Sequence, residues 1–168
     1  MASFEPNAAS LFALLKNDHL DMTRLMEEVR FSNDENNEKL MWRLYDDLMR
    51  HMRIEELYFY SELEGKGATH ELVRVALMQH KEVKEVLQDV FPLDVRTEEW
   101  LEQIQKLQEL YEVHVEEEEQ EVFPQAKNFL SPEDLDRMLH DIMAESTTAA
   151  VSPSQRKTRG PRPSRIQV

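Results

Sequence analysis

The segments HMRIE at residues 51–55 and HVEEE at residues 114–118 share the pattern His-x-x-x-Glu. A lone histidine precedes each segment at nearly the same interval, His19 by 32 residues and His80 by 34. Residues four apart are neighbours on one face of a helix, so each segment would present an imidazole and a carboxylate side by side. Four imidazoles and two carboxylates in a duplicated order suit a pair of metal ions. The pattern therefore predicts a dinuclear metal site in a helical protein.

The composition favours a single helical domain. The chain has 168 residues, enough for one domain with a substantial core, and it contains only three glycines. It contains no cysteine, which excludes disulfides, thiolate nucleophiles, zinc–thiolate sites and iron–sulfur clusters. There is no apolar run of about 18 residues, and residues 1–10 lack the basic and apolar regions of a secretory signal. We therefore expect a cytoplasmic protein that does not span a membrane.

Charge is unevenly distributed along the chain. All 34 acidic residues precede residue 148, whereas five of the 20 lysines and arginines follow it, so residues 1–147 carry a net charge of −19 and residues 148–168 of +5. The acidic part is not expected to bind nucleic acid strongly, because phosphates would be repelled. We predict a domain over residues 1–147 and a disordered basic tail over residues 148–168, which hold three prolines and no acid. The tail could bind a weak anionic partner or a protein partner.

Four stripes of apolar residues at helical spacing predict four helices. The first runs from about residue 8 to 31, the second ends near the glycines at 65 and 67, and the third ends before Pro92. The fourth has Thr97 as its predicted N-cap. Short connections make sequential helices antiparallel, so we predict an all-α, up-down-up-down four-helix bundle.

A short fifth helix is predicted at the C-terminal end of the domain. Ser131 is its predicted N-cap, and Pro132 takes the first helical position, where a missing N–H costs no hydrogen bond. The predicted fold is thus a four-helix bundle with one additional helix after it.

The candidate ligands lie within the apolar stripes of their helices. In the third stripe, for example, His80 occurs together with Ala76, Leu77 and Val83. Burying two carboxylates beside four imidazoles is unfavourable without compensation, and bound cations would provide that compensation. The predicted metal ligands are His19, His51, Glu55, His80, His114 and Glu118.

Several polar residues near the pattern are predicted to have other roles. Glu56 and Glu119 follow the two candidate glutamates and are expected at the rim of the site or in contact with ligands, although each could join a metal. Tyr111 is expected in the core, with hydrogen bonding to a ligand as the alternative. His70 and His140 fall outside the pattern and are expected on the surface.

With these residues in place, the chain resembles the hemerythrin-like family, whose members carry an HHE cation-binding domain. The resemblance rests on the segments NDHLDM, HMRIEELYFYSEL, MQHKEVKEVL and HVEEEEQEVFPQAKNFL and covers roughly residues 8–147. It implies a non-haem centre of two iron ions, joined by an oxo or hydroxo bridge, inside a hemerythrin-like bundle.

The family pattern assigns two histidines to each iron and both glutamates to the bridge. In this chain those positions are His19 and His51 for one iron, His80 and His114 for the other, and Glu55 and Glu118 for the bridge. Oxygen-carrying members have an HxxxH pair on the third helix, but the residues four before and four after His80 are Ala76 and Lys84. Reversible oxygen carriage is therefore less expected than reaction at open metal positions.

The donor set points to the same chemistry without the family. Nitrogen and oxygen donors suit iron, with manganese or zinc as the less expected metals, and no sulfur is present for copper(I). Open positions at each metal would bind O2, hydrogen peroxide or NO. The Glu-x-x-His pairs of ferritin-like proteins are absent, because the residues three before histidines 51, 80 and 114 are Leu48, Leu77 and Tyr111.

Three functional hypotheses follow. The first is a cytoplasmic di-iron protein that binds or reacts with O2, hydrogen peroxide or NO, in stress defence or iron handling. Whether it is an enzyme stays open, with catalase-like turnover of peroxide as the enzymatic form. The alternative is a regulatory module that senses iron and oxygen and acts through a partner of the basic tail. The third is a helical interaction protein without metal, in which both HxxxE segments are structural.

Overall fold

Every regular element of the structure is helical. The computed structural model describes residues 8–32 and 34–151, and no strand occurs among them. The α-helices are α1 (Ala8–Phe31), α2 (Asp34–Ile54), α3 (Ser61–Leu63), α4 (Thr69–Val90), α5 (Glu98–Glu117), α6 (Phe123–Ala126) and α7 (Pro132–Val151). The first π-helical segment, Glu55–Tyr60, joins α2 to α3, and the second, Glu118–Val122, joins α5 to α6.

These elements form a four-helix bundle with a fifth helix beside it. The helix α1 packs against α2 and α5, α4 packs against α5, and α7 packs across α1 and the first π-helical segment. The predicted all-α bundle with an additional C-terminal helix is confirmed, but that helix is not short, since it has 20 residues, as many as α5. It runs past residue 147 to Val151, whereas residues 152–168 of the predicted tail lie outside the described residues. None of the described helices is long and apolar enough to cross a membrane.

The predicted caps of the later helices are present. The hydroxyl oxygen of Thr97 accepts a hydrogen bond from the N–H of Trp100 at 3.2 Å, at the start of α5. At the start of α7, the hydroxyl oxygen of Ser131 accepts from the N–H of Asp134, and the Asp134 carboxylate accepts from the N–H of Ser131. Such caps pair N–H groups that a helix leaves unpaired at its start, so they fix where each helix begins.

The bundle has four helical rods, which are α1, α2 through α3, α4, and α5 through α6. The second rod ends at the predicted glycines. Gly65 and Gly67 have φ values of +78° and +57°, a region that residues with a Cβ atom rarely adopt. The chain can therefore reverse direction there and begin α4 at Thr69.

A polar layer divides the apolar core into two clusters. On α1, Leu11 and Leu15 belong to one cluster and Met22 and Met26 to the other, with the buried His19 between them. On the other three rods the candidate ligands also lie between residues of the two clusters, and on the second and fourth rods the two clusters follow each other in the reverse order along the chain. Each helix thus brings its candidate ligands to the middle of the bundle, enclosed above and below by apolar side chains.

One residue of the predicted core lies on the surface. Leu77 is 41% exposed, so its assignment to the buried stripe of α4 is wrong. The buried position next to His80 and Val83 belongs to Ala76, which is 3% exposed. His80 has apolar residues both three and four positions before it, and the helix turns the one at four toward the core.

Candidate metal centre

The six predicted ligands lie together in the polar layer of the bundle. Each of them is 1% exposed or less. Four helical rods contribute to the cluster, since α1 and α4 supply one histidine each and the other two rods supply one histidine and one glutamate each. The buried cluster comprises His19, His51, Glu55, His80, His114 and Glu118.

Glu55 lies between two pairs of histidines. Its Oε1 atom is 2.9 Å from Nε2 of His51 and 3.5 Å from Nε2 of His19. Its Oε2 atom is 3.2 Å from Nε2 of His80 and 3.9 Å from Nε2 of His114. Among the described residues this produces two groups able to hold a metal ion, the first group (His19, His51 and Glu55) and the second group (Glu55, His80 and His114). The one carboxylate is shared by both groups.

Glu118 is held differently. Its Oε2 atom is 3.1 Å from Nε2 of His19, and its Oε1 atom accepts a hydrogen bond of 2.7 Å from the hydroxyl of Tyr60. Neither of the two groups found among the described residues includes Glu118. The second glutamate of the duplicated pattern is therefore placed toward the first group and anchored by a tyrosine from the opposite rod.

Both glutamates stand at the first residue of a π-helical segment. Glu55 opens the first segment and Glu118 the second, where the N–H of Phe123 donates to the carbonyl oxygen of Glu118 five residues earlier. Pro124 lies two residues after the second segment, in α6, and has no N–H to donate to an ordinary helical hydrogen bond. Single π-helical turns inside α-helices are rare and frequently occur at functional sites.

Two histidines bond carboxylates on the side away from Glu55. Nδ1 of His19 is 2.8 Å from Oε1 of Glu119, and Nδ1 of His80 is 2.9 Å from Oε1 of Glu56. An ionised carboxylate only accepts hydrogen bonds, so Nδ1 of each ring is the donor. The Nε2 atom of each ring is left to face the centre, which is the orientation that metal-bound histidines take.

A lysine holds each of these outer carboxylates. Lys16 lies 3.0 Å from Glu119, and Lys84 lies 2.7 Å from Glu56. The hydrogen bond from His80, with Lys84 beside it, lowers the pKa of Glu56 to about 2 against the effect of partial burial. Burial raises the pKa of Glu119, but the hydrogen bonds from His19 and Lys16 outweigh burial and lower the pKa. Both outer residues are therefore ionised at neutral pH and serve as acceptors.

The other two histidines have weaker outer partners. Nδ1 of His51 is 3.6 Å from Oδ2 of Asp18, an ion-pair distance that is too long for a good hydrogen bond. Nδ1 of His114 is 3.2 Å from Oε1 of Gln79, whose amide nitrogen donates to Glu117 at 2.7 Å. All four imidazoles thus direct Nδ1 outward and Nε2 inward.

Several buried atoms at the centre have no hydrogen-bond partner. They include Nε2 of His19, Nε2 of His51, both carboxylate oxygens of Glu55 and Oε2 of Glu118. Leaving buried polar atoms unpaired costs roughly 1–3 kcal/mol each, and more when they are charged. A metal ion would bind these lone pairs together, and the nitrogen and oxygen donors suit iron, manganese or zinc. The residues present therefore fit a metal centre.

Comparison with known proteins agrees with this geometry. A family model of the hemerythrin HHE cation binding domain matches residues 10–126. The chain belongs to this family. The crystal structure of a hemerythrin HHE cation binding domain-containing protein from Mycobacterium kansasii aligns with a TM-score of 0.72 at 22% identity, covering 84% of this chain and 86% of that chain. At that identity the likeness shows the fold. No curated protein sequence matches the chain significantly.

Without metal, the histidines of this HHE domain bind protons instead. Burial lowers the pKa of His19, but the carboxylates of Glu118 and Glu55 outweigh it and raise the pKa to about 10. Burial likewise lowers the pKa of His51, and the charge of Glu55 together with Asp18 raises it to about 9. Both imidazoles are therefore protonated at neutral pH, and their protons partly compensate the buried carboxylates.

The two buried glutamates of the HHE domain are shifted in opposite directions. Burial raises the pKa of Glu55, but the charge of His51 and the nearby imidazoles of His114 and His19 bring it well below its ordinary value. Burial and the nearby charge of Glu55 raise the pKa of Glu118. Two adjacent buried carboxylates are costly to ionise together, and the pKa is raised at the one that has fewer imidazoles around it.

Sequence reasoning missed three polar partners in the HHE domain. Tyr60, Asp18 and Gln79 contact the cluster, and none of them was identified from the sequence. A signal for two of them exists, because Asp18 and Gln79 each directly precede a lone histidine, His19 or His80. Tyr60 has no such signal, since it adjoins no candidate ligand in the sequence and its partner Glu118 lies 58 positions away.

The neighbouring residues lie largely where they were expected. Glu56 and Glu119 contact histidines of the cluster. Tyr111 is buried, and its hydroxyl lies 3.6 Å from the sulfur atom of Met22, which places it in the core of the HHE domain. His70 and His140 are exposed, as the sequence predicts.

Proposed function

We propose that this HHE domain holds two iron ions and uses them to bind or react with O2, hydrogen peroxide or NO. One ion would lie in the first group and the other in the second group, with Glu55 shared between them. The position of Glu55, one oxygen toward each histidine pair, is the observation that carries the proposal. Manganese or zinc would satisfy the same donors, so the metal found in the purified protein decides between them.

The ligands are the six residues of the buried cluster. Glu118 would bind through Oε2, the oxygen that faces His19 in the first group. Bound iron would supply redox chemistry and open positions for diatomic ligands or peroxide. The protein would supply orientation, because outer hydrogen bonds to Nδ1 fix the ring positions and strengthen Nε2 as a donor.

The surroundings favour a small ligand. The cluster lies between two apolar clusters in the described part of the bundle, with Phe123 stacked 6.2 Å from the His19 ring on one side. A large or highly polar substrate would have to displace this packed core. Stress defence and iron handling are the cellular roles that such a site suits.

The decisive functional test uses the iron-loaded protein. We expect the near-ultraviolet and visible spectrum to change when O2, peroxide, azide or NO is added, because open iron positions would bind them. An oxygen electrode run in parallel separates two outcomes with peroxide, since oxygen release marks turnover and a spectral change alone marks binding. An iron-loaded protein that responds to none of these ligands would contradict the proposed reactivity.

Metal uptake is expected to release at least about two protons per chain near pH 7.5. His19 and His51, with pKa values of about 10 and 9, carry protons in the metal-free protein and must lose them to bind an ion. Affinity should therefore fall as the pH is lowered. Calorimetric titration in two buffers of different ionisation enthalpy measures the number, and release of no protons would show that the imidazoles are neutral before binding.

A further inference from the structure

The duplicated pattern has two halves, His19 with His51–Glu55 and His80 with His114–Glu118. The polar partners of the histidines occupy equivalent sequence positions in both halves. The residue before each lone histidine faces the histidine of the following HxxxE segment, as Asp18 faces His51 and Gln79 faces His114. The residue after each HxxxE glutamate bonds the lone histidine of the other half. The four imidazoles are therefore supported in a nearly two-fold symmetric way, so any position that breaks the symmetry separates the two metal sites.

The symmetry is broken first at the residue that precedes each lone histidine. Asp18 offers a carboxylate to His51, whereas Gln79 offers a neutral amide oxygen to His114. The Asp18 side chain is 18% exposed and also lies 3.9 Å from Arg50, which offsets part of its charge. The imidazole facing the carboxylate should nevertheless be the stronger donor, since a negative charge beside Nδ1 raises the basicity of the ligand.

The symmetry is broken a second time at the fifth residue after the glutamate of each HxxxE segment. Tyr60 follows Glu55 and Phe123 follows Glu118 at the same interval. The hydroxyl of Tyr60 holds Oε1 of Glu118, and the other oxygen of that carboxylate faces His19. Phe123 has no hydroxyl, so no equivalent anchor directs Glu55 toward either histidine pair. The first group thereby gains a second carboxylate.

We propose that the two metal sites are unequal and fill in order, the first group before the second. This inference rests on the proposed metal binding.

Both breaks of symmetry act in the same direction, because the first group faces the carboxylates of Glu55, Glu118, Glu119 and Asp18. The second group faces those of Glu55 and Glu56. A divalent cation is attracted more strongly where more negative charge surrounds it. Asp18 and Tyr60 are accordingly positioning residues that act through His51 and Glu118.

Stepwise titration with Co²⁺ tests the proposal on the full-length, metal-free protein. Cobalt(II) has visible bands that report its ligands, and calorimetry reports the affinity of each step. We expect two steps separated by about 10–100-fold, the usual effect of the outer partners of metal ligands. His114→Ala should keep only the tight step, and His51→Ala only the weak one.

Two substitutions address the asymmetry itself. Asp18→Asn should weaken the first step by about 10-fold or more and leave the second unchanged. Gln79→Glu should raise the affinity of the second step and so reduce the difference in affinity between the two steps. Circular dichroism on each variant checks that the helical fold is intact, and the pair of variants keeps the test valid even when one of them is unstable.

The possible failures are distinguishable. Two Co²⁺ ions bound with a single affinity would overturn the inference and leave the proposed metal binding standing. The inference would also fail if Asp18→Asn weakened the second step and not the first. Uptake of no ion by the folded wild-type protein would overturn the proposed function and the inference together.

Discussion

Glu55→Gln is expected to lose both metal ions. The carboxylate gives one oxygen to each histidine pair, whereas an amide offers one oxygen and no charge. Substituting the outer partners of metal ligands costs about 10–100-fold in affinity, so removing a shared ligand should cost more than about 100-fold at each site. Elemental analysis of the purified variant should then find little metal.

The variant should remain folded when it is metal-free. The raised pKa of His51 depends mainly on Glu55, so without that charge burial would favour its neutral imidazole, whereas His19 would keep Glu118 as its partner. The buried cluster would lose the negative charge of Glu55 together with the positive charge of His51, so no unpaired cation would be left in it. Glu121→Gln makes the same chemical change at an exposed residue of the second π-helical segment and serves as the matched control. Full metal content in Glu55→Gln would show that Glu55 is not a shared ligand.

Metal binding is expected to raise the thermal stability of the protein strongly. The unpaired buried atoms at the centre are a cost of the metal-free fold that a bound ion removes. A ligand present at 1,000 times its dissociation constant adds about 4 kcal/mol to the free energy of unfolding. For a chain of this size, that corresponds to a rise of roughly 8–16 °C in Tm.

Differential scanning calorimetry on metal-free and metal-loaded samples measures this change. A chelator should reverse it, and Glu55→Gln should show almost none. Equal Tm values in both states, at a metal concentration that fills the site, would mean that the polar cluster is stabilised in some other way.

The sequence predicts the centre of the fold well because two periodicities agree. The apolar stripes set which face of each helix is buried, and the HxxxE spacing keeps His51 with Glu55 and His114 with Glu118 on that face. Each candidate ligand falls inside a stripe, so the buried layer follows from local spacing alone. The structure brings all six side chains together at the middle of the bundle.

The contacts that separate the two halves could not be predicted in this way. The bond between Tyr60 and Glu118 joins residues 58 positions apart on different rods, so it depends on how the rods pack. The π-helical segments also depend on tertiary context, because the first one forms without a proline. At Leu77 a large apolar residue is exposed while Ala76 is buried, since the phase of α4 decides which side chain faces the core.

The most direct test of the central claim is the number of metal ions per chain in the wild-type protein and in two single variants. Elemental analysis of protein produced with iron should find about two iron ions per chain, one for each metal-capable group. His51→Ala and His114→Ala should each retain about one, because each disrupts a different group. A folded wild-type protein that takes up no metal would contradict the account and leave both HxxxE segments as structural elements.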